Sequence, residues 1–335
     1  MATERTDLKG LATCAILVAA LAAIAAGLAH SFSTPASEPA SDAPQRGRTT
    51  LPVRVERFAY TAHDGARSYA LLLLPGWYGP TDDPAIPLVV CPHGRNTMPE
   101  AAARRWADLP TRGGFAVVLP AGQGRVLRLL SWGYPGQVDD LARMPALAEQ
   151  AVPGFHYLRD RVYAVGTSMG GQEVLLLLAR HPRLLAGVIA FDPATDLADR
   201  YVKFAQIPSG REEQRRARIE VGGTPAHVPR AYEARSPITY VRRIASANVP
   251  VELWWSTEDE VIVDQDRQAG RLYRQVELLN PEAPVSRSVG SWSHACESWS
   301  YAKLPVALAR IGLLSASWLE DDPLYQPDWK TLCNA

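Results

Sequence analysis

The sequence predicts an α/β fold in which helices cover both faces of a mostly parallel central sheet. Short apolar runs that end in turn residues alternate along the chain with longer amphipathic stretches, which is the pattern of strands followed by helices. The chain can also fill a large core, because 47% of its 335 residues are apolar. In such a sheet, ligands bind at the carboxyl ends of the strands.

Six apolar runs are predicted to be strands, at residues 69–74, 86–91, 115–119, 162–165, 185–191 and 251–255. Helical patterns lie between them at residues 100–109, 137–150, 171–180 and 264–279. The turn at His63, Asp64 and Gly65 predicts a hairpin that pairs residues 53–60 with the first of these strands. Residues 198–228 interrupt the alternation, and we expect a short cap-like insertion there, either a lid or an exposed helix and loop.

The amino end has the pattern of a targeting segment, because Arg5 and Lys9 precede an uncharged run at residues 11–28. Residues 1–30 are therefore expected to be a signal peptide or a single membrane anchor, and the many alanines leave both open. Basic residues before the run predict that the rest of the chain is extracytoplasmic. Residues 31–50, rich in Pro, Ser and Ala, predict a flexible linker, and residues 51–335 predict one globular domain.

Charge and cysteine usage exclude several classes of function. The 35 basic and 35 acidic residues cancel, so nucleic acid is not an expected partner, and we expect a small or uncharged substrate. The chain has no C-x-x-C or H-E-x-x-H motif, so we expect no metal and no cofactor. Export predicts a disulfide between Cys296 and Cys333, with Cys91 in a buried strand. Cys14 resembles a lipoprotein box, but its apolar core follows the cysteine, so we expect no lipidation.

The motif Gly166-Thr167-Ser168-Met169-Gly170 carries the strongest chemical signal in the chain. It follows an apolar strand and precedes a Leu-rich helix, which is the context of a G-x-S-x-G nucleophile turn. Such a turn holds the serine backbone in a strained conformation and projects the hydroxyl above the sheet at a helix amino end. The alternative is a glycine-rich turn in which Ser168 only caps the helix.

With this motif, the chain resembles the α/β-hydrolase superfamily from residue 53 to residue 319. The resemblance implies the chain order nucleophile, acid, histidine. Residues 249–262 match the superfamily's late strand and acid turn, with Asp259 in the acid position and Glu258 and Glu260 as the alternatives. His294 follows in a turn, and no other histidine comes after the acid. Together these residues imply a Ser-His-Asp triad of Ser168, His294 and Asp259.

The resemblance also implies an oxyanion hole made of two backbone amides. One amide belongs to Met169, directly after the nucleophile. The other belongs to Arg95, in the loop that reads Pro92-His93-Gly94-Arg95. The Arg95 side chain is expected either to bind a substrate carboxylate or, in the slightly preferred reading, to pair with a nearby acid. His93 is expected to stabilise the turn and not to act as a second base.

Two branches of the superfamily resemble different parts of the chain. Residues 232–241 and 268–279 are similar to the catalytic domain of prolyl oligopeptidase-type proteins, whereas residues 88–168 look like secreted feruloyl and polyhydroxybutyrate esterases. With no β-propeller ahead of the domain, an exported carboxylic ester hydrolase that forms an acyl-enzyme is the first expectation. The alternatives are a peptidase acting on short peptides and a catalytically idle, membrane-tethered binding protein.

The expected partners are a small ester or a short peptide, with possible membrane anchoring through residues 11–28 and an open oligomeric state. Aromatic side chains near the expected rim are candidates to line an acyl or aryl pocket, with one of the two strand tryptophans packing in the core. They are Trp77, Tyr78, Trp132, Trp254, Trp255 and Trp292.

Overall fold

The computed structural model describes residues 51–296, 303–315 and 317. The predicted targeting segment, the linker and Cys333 lie outside this part of the chain. Within the described residues, none of the helices combines the length and the apolar character that a membrane span requires.

Eight strands form one sheet in the order β1-β2-β4-β3-β5-β6-β7-β8. They are β1 (Arg54–Thr61), β2 (Arg67–Leu74), β3 (Ile86–Val90), β4 (Ala116–Pro120), β5 (Tyr157–Thr167), β6 (Gly187–Phe191), β7 (Val251–Ser256) and β8 (Val285–Gly290). The predicted hairpin is present as β1 and β2, and β2 also pairs antiparallel with β4. The other pairs from β4 to β8 are parallel, which confirms the predicted mostly parallel sheet.

Ten α-helices are described around this sheet. They are α1 (Pro99–Arg104), α2 (Leu109–Gly113), α3 (Pro135–Ala151), α4 (Met169–Arg180), α5 (Leu197–Lys203), α6 (Gly210–Val221), α7 (Pro229–Glu233), α8 (Val241–Ala245), α9 (Arg271–Leu279) and α10 (Lys303–Arg310). Side chains that alternate along the strands feed two cores, as the period of two requires. Leu72 and Leu88 pack with α3, α4 and α9 on one face, whereas Leu71 and Val89 pack with α1 and α10 on the other.

Several predicted boundaries were wrong for local reasons. The helix predicted at residues 100–109 is two short helices, because Ala107 has a φ of +41° that ends the first of them. A π-helical turn, Asp266–Gly270, precedes α9 where one helix was predicted. The strand predicted at residues 162–165 extends to both sides as β5, and that at 185–191 begins only at Gly187. Strand β8 was not predicted, because it lies at the sheet edge, buries none of its residues and contains no apolar run, with Ser286, Arg287 and Ser288 in its middle.

The insertion is docked on the domain rather than exposed. It consists of α5, a 3₁₀ turn at Phe204–Gln206 and α6, and its Phe204 and Ala217 pack in one apolar cluster with Trp132 and Met169. Glu220 of α6 is buried and accepts hydrogen bonds from the backbone amides of residues 125, 126 and 127. The insertion therefore covers the carboxyl edge of the sheet where the nucleophile motif ends.

Candidate active site

Ser168 lies in the sharp turn between β5 and α4 that the motif predicts. Its backbone has φ 59° and ψ −121°, a strained conformation for a residue with a side chain. The Ser168 amide donates to the carbonyl of Phe191 at 2.8 Å, so the turn is tied to the end of the neighbouring strand β6. The strain fits the predicted nucleophile turn better than a simple helix cap, since the Ser168 side chain accepts no capping hydrogen bond.

The glycines on either side of Ser168 allow the backbone to pass closely. A Cβ atom at Gly166 would lie 2.2 Å from the carbonyl oxygen of Gly170, and a Cβ at Gly170 would lie 2.5 Å from the carbonyl oxygen of Pro92. Both distances are shorter than real Cβ contacts allow. The amino end of α4 is thus held directly against the loop that follows β3.

His294 and Asp259 form a hydrogen-bonded pair after β8 and β7. The ring Nδ1 of His294 donates to Oδ2 of Asp259 at 2.8 Å, which fixes the tautomer that leaves Nε2 free to accept a proton. Asp259 is buried, whereas Glu258 and Glu260 are exposed. Glu260 accepts a hydrogen bond from the backbone amide of His294, whereas the His294 ring is bonded to Asp259. Of the three candidate acids, the structure therefore brings Asp259 to the histidine.

Asp259 is held as a carboxylate by four donors. Its Oδ1 accepts from the amides of Val261 and Ile262 at 2.9 and 2.7 Å, and its Oδ2 accepts from Gln265 at 3.0 Å in addition to His294. Burial acts to raise the pKa of Asp259, but the hydrogen bond and charge of His294, with those of Gln265 and the Ile262 amide, lower it below its usual value. The acid is ionised and oriented at neutral pH.

Asp192 is a site residue that sequence reasoning missed. It follows β6, is fully buried and accepts hydrogen bonds from the amides of Ser256 and Ala295 at 2.8 Å and from the indole of Trp292 at 3.2 Å. Burial, then the nearby charge of Asp259, raises its pKa. Its one visible signal is a carboxylate directly after a buried strand that lies between the nucleophile and acid strands.

Asp192, Asp259 and His294 bring possible ligand atoms within 4.8 Å of one another. That spacing would suit a metal ion. The carboxylate oxygens are already engaged, however, because they accept hydrogen bonds from backbone amides, the Trp292 indole, Gln265 and His294. The arrangement is therefore explained by the positioning of the histidine loop.

Ser168 and His294 both lie at the carboxyl edge of the sheet, but they are not hydrogen-bonded to each other. Within residues 51–296, no bond joins the Ser168 hydroxyl to the imidazole. A chain of contacts connects them instead: the Ser168 amide binds Phe191, and Asp192 binds the amide of Ala295, next to His294. Catalytic hydrogen bonds are often long without substrate and shorten in the substrate complex.

The two predicted oxyanion donors, the amides of Met169 and Arg95, lie in two segments that contact each other: the amino end of α4 and the loop after β3. Met169 is the first residue of α4, and its amide, like that of Arg95, makes no hydrogen bond within the described chain. A Cβ on Gly94 would lie 3.8 Å from the carbonyl oxygen of Thr167, so the two segments touch. The amides of Met169 and Arg95 are available to a ligand at the serine.

His93 and the Arg95 side chain have the structural roles that were preferred for them. His93 is buried, and burial lowers its pKa. Its neutral ring donates from Nδ1 to the carbonyl of Gly94 and accepts at Nε2 from the amide of Gly122. The Arg95 guanidinium forms an ion pair with Glu213 of α6, which joins the loop after β3 to the insertion.

A narrow pocket opens beside Ser168, between the sheet edge and the insertion. Its lining residues are Arg95, Trp132, Ser168, Met169, Gln172, Ala194, Arg200, Phe204, Val261 and Ile262. The expectation that six aromatic side chains line the pocket was wrong for all but Trp132. Trp254 and Trp255 are both buried in the cores, Tyr78 bonds to the carbonyl of Gly154, and Trp77 to that of Thr111. The Trp292 indole N–H donates to Asp192.

One protein family matches part of this chain. Residues 136–269 match the model of the prolyl oligopeptidase family, a stretch that contains Ser168 and Asp259. No curated protein sequence matches the chain.

Solved structures share the fold at low identity. An acylaminoacyl peptidase of Pyrococcus horikoshii has a TM-score of 0.60 and 16% identity, over 78% of this chain and 42% of that one. A puromycin hydrolase has a TM-score of 0.56 and 21% identity, over 78% and 39%. A putative dipeptidyl aminopeptidase IV of Bacteroides ovatus has a TM-score of 0.54 and 14% identity, over 72% and 32%. The chain thus spans about a third to two fifths of the length of these structures.

Proposed function

We propose that this chain, a serine hydrolase with the α/β-hydrolase fold that resembles the prolyl oligopeptidase family, cleaves amide bonds in short peptides or aminoacyl compounds. The observation that carries the proposal is the hydrogen bond between His294 and Asp259 at the same sheet edge as the strained Ser168. The families and structures that the chain resembles add the preference for amides, because their names are those of peptidases and of a puromycin hydrolase.

In the proposed reaction, the Ser168 hydroxyl attacks the substrate carbonyl while Nε2 of His294 takes its proton. The amides of Met169 and Arg95 donate to the negative oxygen that forms, and Asp259 stabilises the imidazolium. The imidazolium then gives its proton to the leaving amine, and an acyl group remains on Ser168. Water, deprotonated by His294, hydrolyses this acyl-enzyme and restores the serine.

The size of the substrate follows from the insertion. Arg200 of α5 and the Phe204 side chain line one side of the pocket, and Arg95, which also lines it, is paired with Glu213 of α6. A long or folded polypeptide has no room at such a site, whereas one or two residues with a leaving group do. We therefore expect short substrates.

Carboxylic ester hydrolysis is the second candidate, because the same acyl-enzyme serves both reactions. It is favoured by the similarity of residues 88–168 to secreted feruloyl and polyhydroxybutyrate esterases. The pocket beside Ser168 is lined by Trp132 and Phe204, which also suits an aryl or acyl group.

A substrate panel tests the proposal. The purified full chain is assayed with aminoacyl, N-acylaminoacyl and dipeptidyl p-nitroanilides and with p-nitrophenyl esters. Ser168→Ala serves as the inactive variant, and Ser288→Ala, on the exposed edge strand, as its matched control. We expect kcat/KM for at least one anilide to depend on Ser168. If only esters are hydrolysed, the esterase function would replace the proposed one. If neither class of substrate shows hydrolysis that depends on Ser168, both functions would be contradicted.

We also propose that the hydrolase acts outside the cytoplasmic membrane, because basic residues precede the apolar run at residues 11–28. Protease treatment of intact cells that express the full chain tests this. The domain should be degraded, or be recovered in the medium, while a cytoplasmic marker stays intact. Protection of an uncleaved chain until the membrane is breached would contradict export.

A further inference from the structure

Arg200, in helix α5 of the insertion, is a buried cation without a partner. The residue is 3% exposed, and its guanidinium makes no ion pair or hydrogen bond with any part of the chain that the structure describes. Arg235 provides the comparison. It is equally buried, at 2% exposed, but it pairs with Glu220 and donates to the carbonyl of Ser131. The charge and the N–H donors of Arg235 thus have partners within the fold, whereas those of Arg200 have no acceptor in the described chain.

A buried charge without a partner costs free energy, and proteins avoid it unless a ligand supplies the partner. Burial, followed by the like charge of Arg95, lowers the pKa of Arg200 to about 10, so the side chain remains a cation at neutral pH. The ring of Phe204 lies 4.2 Å from the guanidinium carbon and supports one face of it. The edge of the guanidinium, which carries its N–H donors, is left for another group.

The acids around Arg200 are already committed to other residues. Glu213 pairs with Arg95, and Asp259 holds His294. Asp199 accepts from Gln268 and lies 3.3 Å from Lys203. Arg200 therefore keeps a positive charge whose N–H groups are accepted by no acid of the described chain.

The position of Arg200 gives this charge a use, because Arg200 and Ser168 line the same pocket. We propose that Arg200 binds a carboxylate of the substrate, so that the hydrolase selects short anionic substrates. The proposal rests on the proposed function and names its substrate class. A guanidinium suits a carboxylate because its two parallel N–H groups match the two oxygens. The carboxylate belongs either to the acyl part of the substrate or to its leaving group, and each position has its own test.

The test compares charged and neutral partners of equal size in the full chain. For the acyl side, p-nitrophenyl hydrogen succinate is compared with p-nitrophenyl butyrate. For the leaving-group side, 4-carboxyphenyl acetate is compared with 4-carbamoylphenyl acetate, and alanyl-alanine with its amide. We expect wild type to prefer the charged member of one series, and Arg200→Met to reduce that preference in kcat/KM by about ten- to a hundredfold. The series that shows the preference identifies the source of the carboxylate.

Two further variants separate recognition from a structural role. Arg200→Lys, which keeps the charge but not the paired donors, should retain part of the preference. Arg215→Met, on the exposed face of α6, should behave as wild type, because Arg215 pairs only with Glu212 within the described chain. Arg200→Met should keep its melting temperature, since no ion pair or hydrogen bond is lost and the methionine side chain can still pack on Phe204. A lowered melting temperature with an equal loss on charged and neutral substrates would overturn the proposal, as would equal wild-type rates within every pair.

A binding measurement keeps this inference separate from the proposed reaction. Titration calorimetry with succinate and with butyramide is carried out on full-length Ser168→Ala, with and without Arg200→Met. If succinate binding requires Arg200 but the wild-type chain hydrolyses none of the substrates, the proposed function is refuted and the anion site is retained. Hydrolysis without any succinate binding and without a charge preference would refute the anion site and retain the hydrolase.

Discussion

Asp259 shows how much of a triad depends on the residues around it. A carboxylate that only oriented an imidazole would need one hydrogen bond, but Asp259 accepts four, two of them from the amides of the turn that follows it. These donors lower its pKa against the effect of burial. They also fix the side chain, so the acid cannot be moved to Glu258 or Glu260 without rebuilding the turn.

Replacing Asp259 with Asn should lower kcat by about 10⁴-fold, because the amide disturbs the tautomer of His294 without removing the base. Steady-state kinetics on the best substrate of the panel measures this. Glu258→Gln, on the exposed neighbour, is the control and should retain the wild-type rate. The assignment of the acid is wrong if Asp259→Asn keeps full activity while Glu258→Gln loses it.

Asp192 positions the histidine loop, because it accepts hydrogen bonds from the Ala295 amide and the Trp292 indole. Asp192→Asn would turn an amide N–H₂ toward the donors of Ala295 and Trp292, or toward that of Ser256. Leaving buried donors unsatisfied costs about 1 to 3 kcal/mol each, so kcat should fall by about ten- to a hundredfold with little change in KM.

The control for Asp192 is Asp266→Asn, on an exposed residue that pairs with Arg274. A purely structural role for Asp192 would lower the melting temperature without changing the activity of the folded fraction. That result, measured by active-site titration, would remove Asp192 from the site.

At the scale of elements, the proposed oxyanion hole depends on one contact between the loop after β3 and the amino end of α4. The contact is close enough that glycine is required at position 170, since a Cβ there would lie 2.5 Å from the carbonyl oxygen of Pro92. In the proposed reaction, the amides of Arg95 and Met169 can bind one oxygen together only if these two segments stay in contact. Their separation is therefore the geometric quantity on which transition-state stabilisation depends.

Gly170→Ala should push the two segments apart and lower kcat by about 100- to 1000-fold, the usual cost of losing one oxyanion donor. Gly79→Ala is the matched control, because a Cβ at Gly79 meets nothing nearer than an Arg54 side-chain atom at 3.7 Å and its φ is not positive. Circular dichroism should show both variants folded. A folded Gly170→Ala with wild-type kcat would show that the contact is not needed for the reaction.

At the scale of the molecule, the sequence predicted the interior of the sheet well and its edges poorly. Strands such as β3, β4 and β6 are buried on both faces and therefore read as apolar runs. Strand β8 lies at the edge with exposed polar side chains, so no run marks it. The break between α1 and α2 depends on the backbone of Ala107 and has no periodic signal.

The same division applies to the site. Ser168, Asp259 and His294 were predicted because each lies in a local motif at a strand end, and chain order links them. Asp192 and Arg200 have no local motif. Their roles follow from which loops they meet in space, and the sequence pattern of a buried strand or a charged helix contains no record of those partners.

The disulfide is a prediction about the whole chain that the structure supports at one end. Cys296 is disulfide-bonded, and Cys91 is a buried free thiol. Peptide mapping without reductant should join Cys296 to Cys333 and leave Cys91 unmodified until the protein is denatured. Reduction should lower stability by about 4 kcal/mol in the chain-entropy model. Free thiols at both Cys296 and Cys333 would contradict the pairing.

The central claim is that Ser168 is a nucleophile activated by His294, and active-site labelling tests it most directly. A fluorophosphonate probe is applied to wild type, Ser168→Ala, His294→Ala and the control Ser288→Ala, and the modified peptide is identified by mass spectrometry. We expect stoichiometric labelling at Ser168 in wild type and in Ser288→Ala, none in Ser168→Ala, and labelling slowed by several orders of magnitude in His294→Ala. Modification of a different serine, or labelling of Ser168 at an unchanged rate without His294, would contradict the account.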